Sequence, residues 1–128
     1  RQELLGPLRE DPEWVNVPSL IVDVRAEMNL PSVDQEMTTF ARSLRTHRGL
    51  VVLDDIGREK ASEWTGELLY VIVNDRYERE LCTIATANMT PDGLAQAGYW
   101  PVISRLTDRG LIVEVKASDQ RAKARVRP

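Results

Sequence analysis

The sequence holds a single cysteine, Cys82, so it has no internal disulfide and a stapled secreted scaffold is excluded. The expectation for that thiol is a small buried apolar group rather than a reactive one. No apolar run approaches the roughly 20 residues that a bilayer-spanning helix requires, and no leader pattern of charge followed by apolar residues opens the chain. These absences set the expectation of a cytoplasmic protein without membrane contact. Positive charge is not in excess either: 17 Lys and Arg against 20 Asp and Glu give a net charge of −3, which leaves no global electrostatic footprint for nucleic acid. Charge is concentrated locally in the basic tail, residues 116–128, where Lys116, Arg121, Lys123, Arg125 and Arg127 face only Asp119. Such a tail can meet phosphates, and it equally suits a solvated terminus. What is present, 42% hydrophobic and 29% charged residues over 128 positions, is the composition of one globular domain with a sizeable core.

Apolar periodicity divides the chain into alternating strands and helices. Leu4, Leu5 and Leu8 form the end of a helix broken by Gly6-Pro7. Trp14-Val15-Asn16-Val17 is a short strand closed by Pro18, after which Ser19 is the expected cap of a helix over Leu20, Ile21, Val24 and Met28. A second helix over residues 34–45 carries Met37, Phe40, Ala41 and Leu44. Leu50-Val51-Val52-Leu53 is continuously apolar, as in a parallel strand covered on both faces. Residues 61–77 place Trp64, Leu68 and Ile72 on one helical stripe facing the sheet. Residues 81–86 and 111–115 read as two further strands, with a turn at 91–93 and a weaker helix running into Arg105 between them. Strands that alternate with helices predict an α/β fold with a mainly parallel sheet.

Three places in this pattern carry chemistry. Asp54 and Asp55 end the apolar run 50–53, and ligands of open α/β sheets sit beyond the carboxyl ends of the strands. One such carboxylate can hold a nucleotide-bound magnesium ion, and its neighbour can polarise an attacking water. Asn88 follows the run Thr83-Ile84-Ala85-Thr86-Ala87, where a carboxamide can orient that water or contact a γ-phosphate. Arg105 lies between apolar residues in Ile103-Ser104-Arg105-Leu106, and a guanidinium supplied across a subunit interface can stabilise phosphoryl-transfer charge. Alone, each has an ordinary reading: a solvated strand end, a turn-former and a surface ion pair. Arg42, Arg45, His47 and Arg48 form a basic cluster that suits a solvated helix end better than a DNA site. Trp14, Trp64 and Trp100 are expected to pack rather than to stack on bases.

In this order, the three places resemble the AAA+ ATPases of the DnaC and DnaI type, the replicative helicase loaders. Residues 50–57, ending Asp54-Asp55-Ile56-Gly57, look like that family's Walker B segment, and Ser62-Glu63-Trp64 followed by Asn74-Asp75-Arg76-Tyr77-Glu78 is similar to its long helix. Residues 83–88 look like its sensor 1 strand and Ser104-Arg105-Leu106 like its arginine-finger box. Ser118-Asp119-Gln120-Arg121 resembles its short sensor 2 segment. Ala87 stands where the family often has serine and Cys82 where proline is common, and transposition helper ATPases of the IstB type are close relatives. The resemblance implies a P-loop NTPase core of three layers that binds ATP and Mg2+. Asp54 would coordinate the metal, Asp55 would activate water, Asn88 would act as sensor, Arg105 would reach a neighbouring subunit's nucleotide and Arg121 would contact its own. It implies a homo-oligomer that places a replicative helicase on single-stranded DNA.

The sequence contains no Gly-x-x-x-x-Gly-Lys-Ser/Thr. Since residues 1–8 resemble the helix that follows that loop in the family, the expectation is a partial AAA+ domain whose P-loop and first strand lie upstream. In the family's strand order, 5-1-4-3-2, the missing strand separates residues 111–115 from residues 81–86, so the expectation is two unpaired edges and a fold that does not stand alone. The rival reading is a non-catalytic loader module that only docks on a helicase or on a partner ATPase subunit.

Overall fold

The computed structural model describes residues 10–28, 36–58 and 62–115. Strand β1, Glu13–Asn16, runs directly into helix α1, Val17–Met28. The junction is made by Asn16, whose Oδ1 accepts a hydrogen bond from the Ser19 amide at 3.0 Å. Asn16 is therefore the helix cap, and Ser19, the expected cap, lies inside the first turn. Pro18 sits there too, where its missing N–H leaves no helical bond unmade. Helix α1 buries Val17, Leu20, Ile21 and Val24, a single stripe at helical spacing. Helix α2, Glu36–Ser43, adds Ala41 and, just beyond its end, Leu44 to the same core.

Strand β2, Val51–Asp54, is the centre of a three-stranded sheet of order β1-β2-β3, parallel throughout, with β3 at Thr83–Ala85. Val51, Val52 and Leu53 are all buried, which the continuous apolar run anticipates. The register aligns Trp14 with Val52 and Ile84, and Val15 with Leu53 and Ala85. Because both crossovers advance across the sheet in one direction and such crossovers are right-handed, their helices lie on one face. That face carries Val15, Val51 and Leu53, which join the helical core. On the other, Trp14 is 68% exposed and Ile84 47%. The described residues thus make two layers rather than three.

Helix α3, Glu63–Glu78, starts at a reciprocal cap: Ser62 accepts from the Thr65 amide, and the Thr65 hydroxyl accepts from the Ser62 amide. Its buried stripe is Thr65, Leu69, Ile72, Val73 and Arg76; of the expected line Ile72 is buried, and Trp64 and Leu68 are only partly so, at the stripe's edge. Trp64 sits at the rim, with the Arg25 guanidinium 5.4 Å from its ring centre. After β3 the chain forms a short helix α4, Pro91–Leu94, a π-helical turn at Ala95–Tyr99 kinked at Gly98, and helix α5, Trp100–Asp108, which packs along α3.

Arg76 has no exposed surface, yet no carboxylate neutralises it among the described residues. Its guanidinium donates to the carbonyls of Leu44, His47, Gly49 and Cys82 at 2.7–3.0 Å and to the Thr83 hydroxyl at 2.8 Å. One side chain therefore ties the α2–β2 connection to the α3–β3 connection. Burial pulls its pKa down from the ordinary arginine value. Two members of the basic cluster are engaged within the fold, Arg45 with Asp75 and His47 through Nε2, 2.6 Å from the Asp11 carbonyl, while Arg42 and Arg48 are exposed. Gly49 is required by crowding, since a Cβ there would stand 2.2 Å from the Glu10 carbonyl oxygen.

Three further expectations are corrected. Residues 111–115 form no strand: Leu111, Ile112, Val113 and Val115 are 57–87% exposed, because no described strand lies where they could pair. Cys82 is exposed, its carbonyl rather than its thiol being what the fold uses. Trp14 and Trp100 are exposed rather than packed, Trp14 because the alternation of β1 turns it to the uncovered face.

Candidate functional site

At the carboxyl edge of the sheet, β2 ends in Asp54 and the chain turns sharply through Asp55. Asp55 has φ +68°, a left-handed conformation that aspartate tolerates better than most residues. Its neighbour Gly57 has φ +89°, and a Cβ there would stand 2.4 Å from Leu94 Cδ2. The Asp-Asp-Ile-Gly sequence is thus a turn that needs glycine at its last position, for both backbone and space.

The turn is clamped by Thr86, just past β3. The Thr86 hydroxyl donates to Asp54 Oδ1 at 2.5 Å and accepts from the Asp55 amide at 2.9 Å. The Thr86 backbone accepts from the Ile56 amide at 2.8 Å and donates to the Leu53 carbonyl at 3.0 Å. One residue therefore fixes both acids. By sequence alone Thr86 is an ordinary β-former beside a strand; its place opposite two adjacent acids in parallel register is the signal that marks it.

Asp55 and Asn88 line the same pocket, of about 330 Å³, together with Ile56, Gly57, Arg58 and Met89. Asp55 is mostly enclosed, and its Oδ2 lies 3.1 Å from Arg58 NH1. Arg58 is 70% exposed, so the pair is a weak restraint. Asp54 offers a hard oxygen ligand beside the pocket, and among the described residues no group of three His, Cys, Asp or Glu could cage a metal. This donor set fits a magnesium ion that keeps most of its water and takes further oxygens from a phosphate, and does not fit a dedicated protein cage.

The other two candidates lie elsewhere. Arg105, in the last turn of α5, donates through Nε to Asn74 Oδ1 at 2.7 Å and stands 5.3 Å from the Tyr77 ring centre. Asn74 and Tyr77 are near the end of α3 that leads into β3, whereas Asp54 and Asp55 are near the Ser62 end, roughly 18 Å away along the helix at 1.5 Å per residue. Arg105 does not belong to the cluster of its own chain. Arg121 and the basic tail lie outside the described residues.

The fold and site together define the class: an α/β protein whose central parallel strand ends in two adjacent acids, clamped by the neighbouring strand and opening on a pocket. No family model matches the chain, and no curated protein matches it. Among solved structures it is similar to the crystal structure of the DnaC helicase loader, with a TM-score of 0.63 and 24% identity, covering 78% of this chain and 58% of that one. The likeness is one of fold, and the chain spans less than two thirds of that protein's length. Among the described residues no helix is long and apolar enough to cross a membrane.

Proposed function

We propose that this chain is the acid-bearing part of an AAA+ ATPase of the helicase-loader type, which in the complete protein works with a phosphate-binding loop on ATP and Mg2+. The observation that carries the proposal is the Thr86 clamp, which fixes Asp54 and Asp55 side by side at the sheet's carboxyl edge, with Asn88 across the same pocket. Asp54 would be the residue that holds the metal. When bound, the ion supplies charge neutralisation for the transferred phosphate. Asp55 orients and deprotonates the attacking water, and Asn88 aligns that water or a phosphate oxygen. The likeness in fold to a helicase loader supports a protein that acts on a replicative helicase, and single-stranded DNA as its second partner follows from the sequence resemblance alone.

Arg105 serves the nucleotide of a neighbouring subunit. Its position at the opposite end of α3 from Asp55 keeps it from its own chain's site, and an arginine finger across an interface is worth about 10³ to 10⁵ in rate. Arg121 contacts nucleotide from its own subunit. Mixing variants of the complete protein tests the arrangement. Arg105→Ala and Asp55→Asn should each be inactive alone and recover part of the rate together, because some interfaces then pair an intact Asp55 with an intact Arg105. Absence of recovery in confirmed mixed oligomers would refute the shared site, and absence of ATP binding in the complete protein would leave the chain a docking module.

A further inference from the structure

Arg105 is held in a way that an ordinary surface arginine is not. Its Nε–H is taken by Asn74 Oδ1 at 2.7 Å, and its guanidinium lies over the Tyr77 ring within cation–π range. Both supports are themselves fixed. Because Arg105 can only donate, its short bond requires the Asn74 oxygen to face it, and the carboxamide nitrogen then makes a long contact with Glu78 Oε1 at 3.4 Å. The Tyr77 hydroxyl donates to Asp108, and Arg109, paired with Glu80 at 3.6 Å, also lies over the Tyr77 ring at 4.6 Å. The hydrogen bond to Asp108 and burial hold the Tyr77 phenol above its ordinary pKa.

The consequence concerns which donors remain. Asn74 uses the single Nε–H, and among the described residues neither terminal amino group of Arg105 has a hydrogen-bonded partner. A guanidinium gripped at Nε keeps the pair of terminal N–H groups that suits a phosphate. A long arginine chain also loses rotamer freedom on binding, and a support that removes that freedom before the phosphate arrives lowers the cost of meeting it.

We propose that Asn74 and Tyr77 are positioning residues that preset Arg105, terminal N–H groups outward, for an anionic phosphoryl group on a neighbouring copy of this protein. The proposal rests on the trans role given to Arg105 above. It assigns a task to the Asn74-x-x-Tyr77 pair that helical spacing alone does not announce: three residues apart on α3, they meet one side chain of α5 from the same side.

The test has two arms on the complete protein. In the first, hydrogen exchange at Arg105 Nε–H is followed by nuclear magnetic resonance. Asn74→Ala should speed exchange at least roughly tenfold while lowering the melting temperature by only a few degrees, since one part-buried hydrogen bond and one long, exposed one are lost. Unchanged exchange overturns the proposal whatever the protein's activity. In the second arm, Asn74→Ala should lower kcat by roughly 10-fold to 100-fold, the scale of loss from a misplaced catalytic group, with KM for ATP unchanged. Asn74→Asp, which keeps the acceptor oxygen, should restore most of the rate. Mixed oligomers of Asn74→Ala with Asp55→Asn should recover activity, and those with Arg105→Ala should not, because the Asn74 defect travels with the finger. Inactive Arg105→Ala beside fully active Asn74→Ala overturns the positioning role alone, whereas wild-type turnover by Arg105→Ala overturns the trans reading and the proposal with it.

Discussion

Replacing Arg76 with methionine keeps a long flexible side chain in the same space and removes the guanidinium. Five hydrogen bonds go with it. The Cys82 carbonyl still accepts from the Val51 amide, so it is not stranded. The carbonyls of Leu44, His47 and Gly49 lose the donor that the fold gives them, and each buried acceptor left without a partner costs about 1–3 kcal/mol. Part of this is offset because a desolvated charge is no longer buried. The net expectation is a loss of about 3–5 kcal/mol, in the upper range for single substitutions and a large share of the 5–15 kcal/mol that stabilises a typical domain. Urea unfolding of the complete protein, followed by tryptophan fluorescence, measures it as a lower midpoint at unchanged slope. Arg76→Lys should fall between wild type and methionine, since an ammonium has three donors and cannot reproduce the guanidinium's fork. A methionine variant within 1 kcal/mol of wild type would refute the reasoning, because the two connections would then not depend on their shared latch.

Thr86→Val keeps the shape and removes the hydroxyl, so Asp54 loses a donor and the Asp55 amide its acceptor; hydrolysis by the complete protein should fall by about tenfold or more with the melting temperature lowered by only a few degrees. Wild-type kcat would mean that the clamp does not set the acids. Tyr77 has a folded pKa raised above the unfolded value of about 10, so its contribution to stability is complete below pH 10 and is lost as the pH rises through the folded pKa. Ultraviolet titration should show that tyrosine ionising later in wild type than in Asp108→Asn, and identical curves would contradict the hydrogen bond.

Three of the strands were legible because their apolar runs end in polar residues. Four apolar residues before two acids suit a central parallel strand, and β2 lies between two parallel partners with Val51, Val52 and Leu53 buried, although the described residues cover only one face of the sheet. The acids and Asn88 were legible by the same logic, since strand ends meet at one edge of the sheet, and the pocket brings Asp55 and Asn88 together. What failed depended on partners rather than pattern. Residues 111–115 have the composition of a strand, yet a strand exists only where another backbone can pair with it. Of the expected α3 stripe Ile72 is buried and Trp64 and Leu68 lie at its edge, while a charged residue, Arg76, is fully buried, a choice made by the carbonyls of Leu44, His47 and Gly49, which no local window contains, together with that of Cys82. Asn16 took the capping role from Ser19 because the strand passes into the helix without a loop.

The central claim is that the acids at the tip of β2 work on a nucleotide, and Asp55→Asn in the complete protein tests it most directly. The substitution keeps the size of the side chain and removes the basic oxygen that would take the proton from water. ATP should bind with wild-type affinity by equilibrium titration while turnover falls by about 10² to 10⁴, the usual worth of a positioned general base. Turnover equal to wild type, with binding intact, would contradict the account.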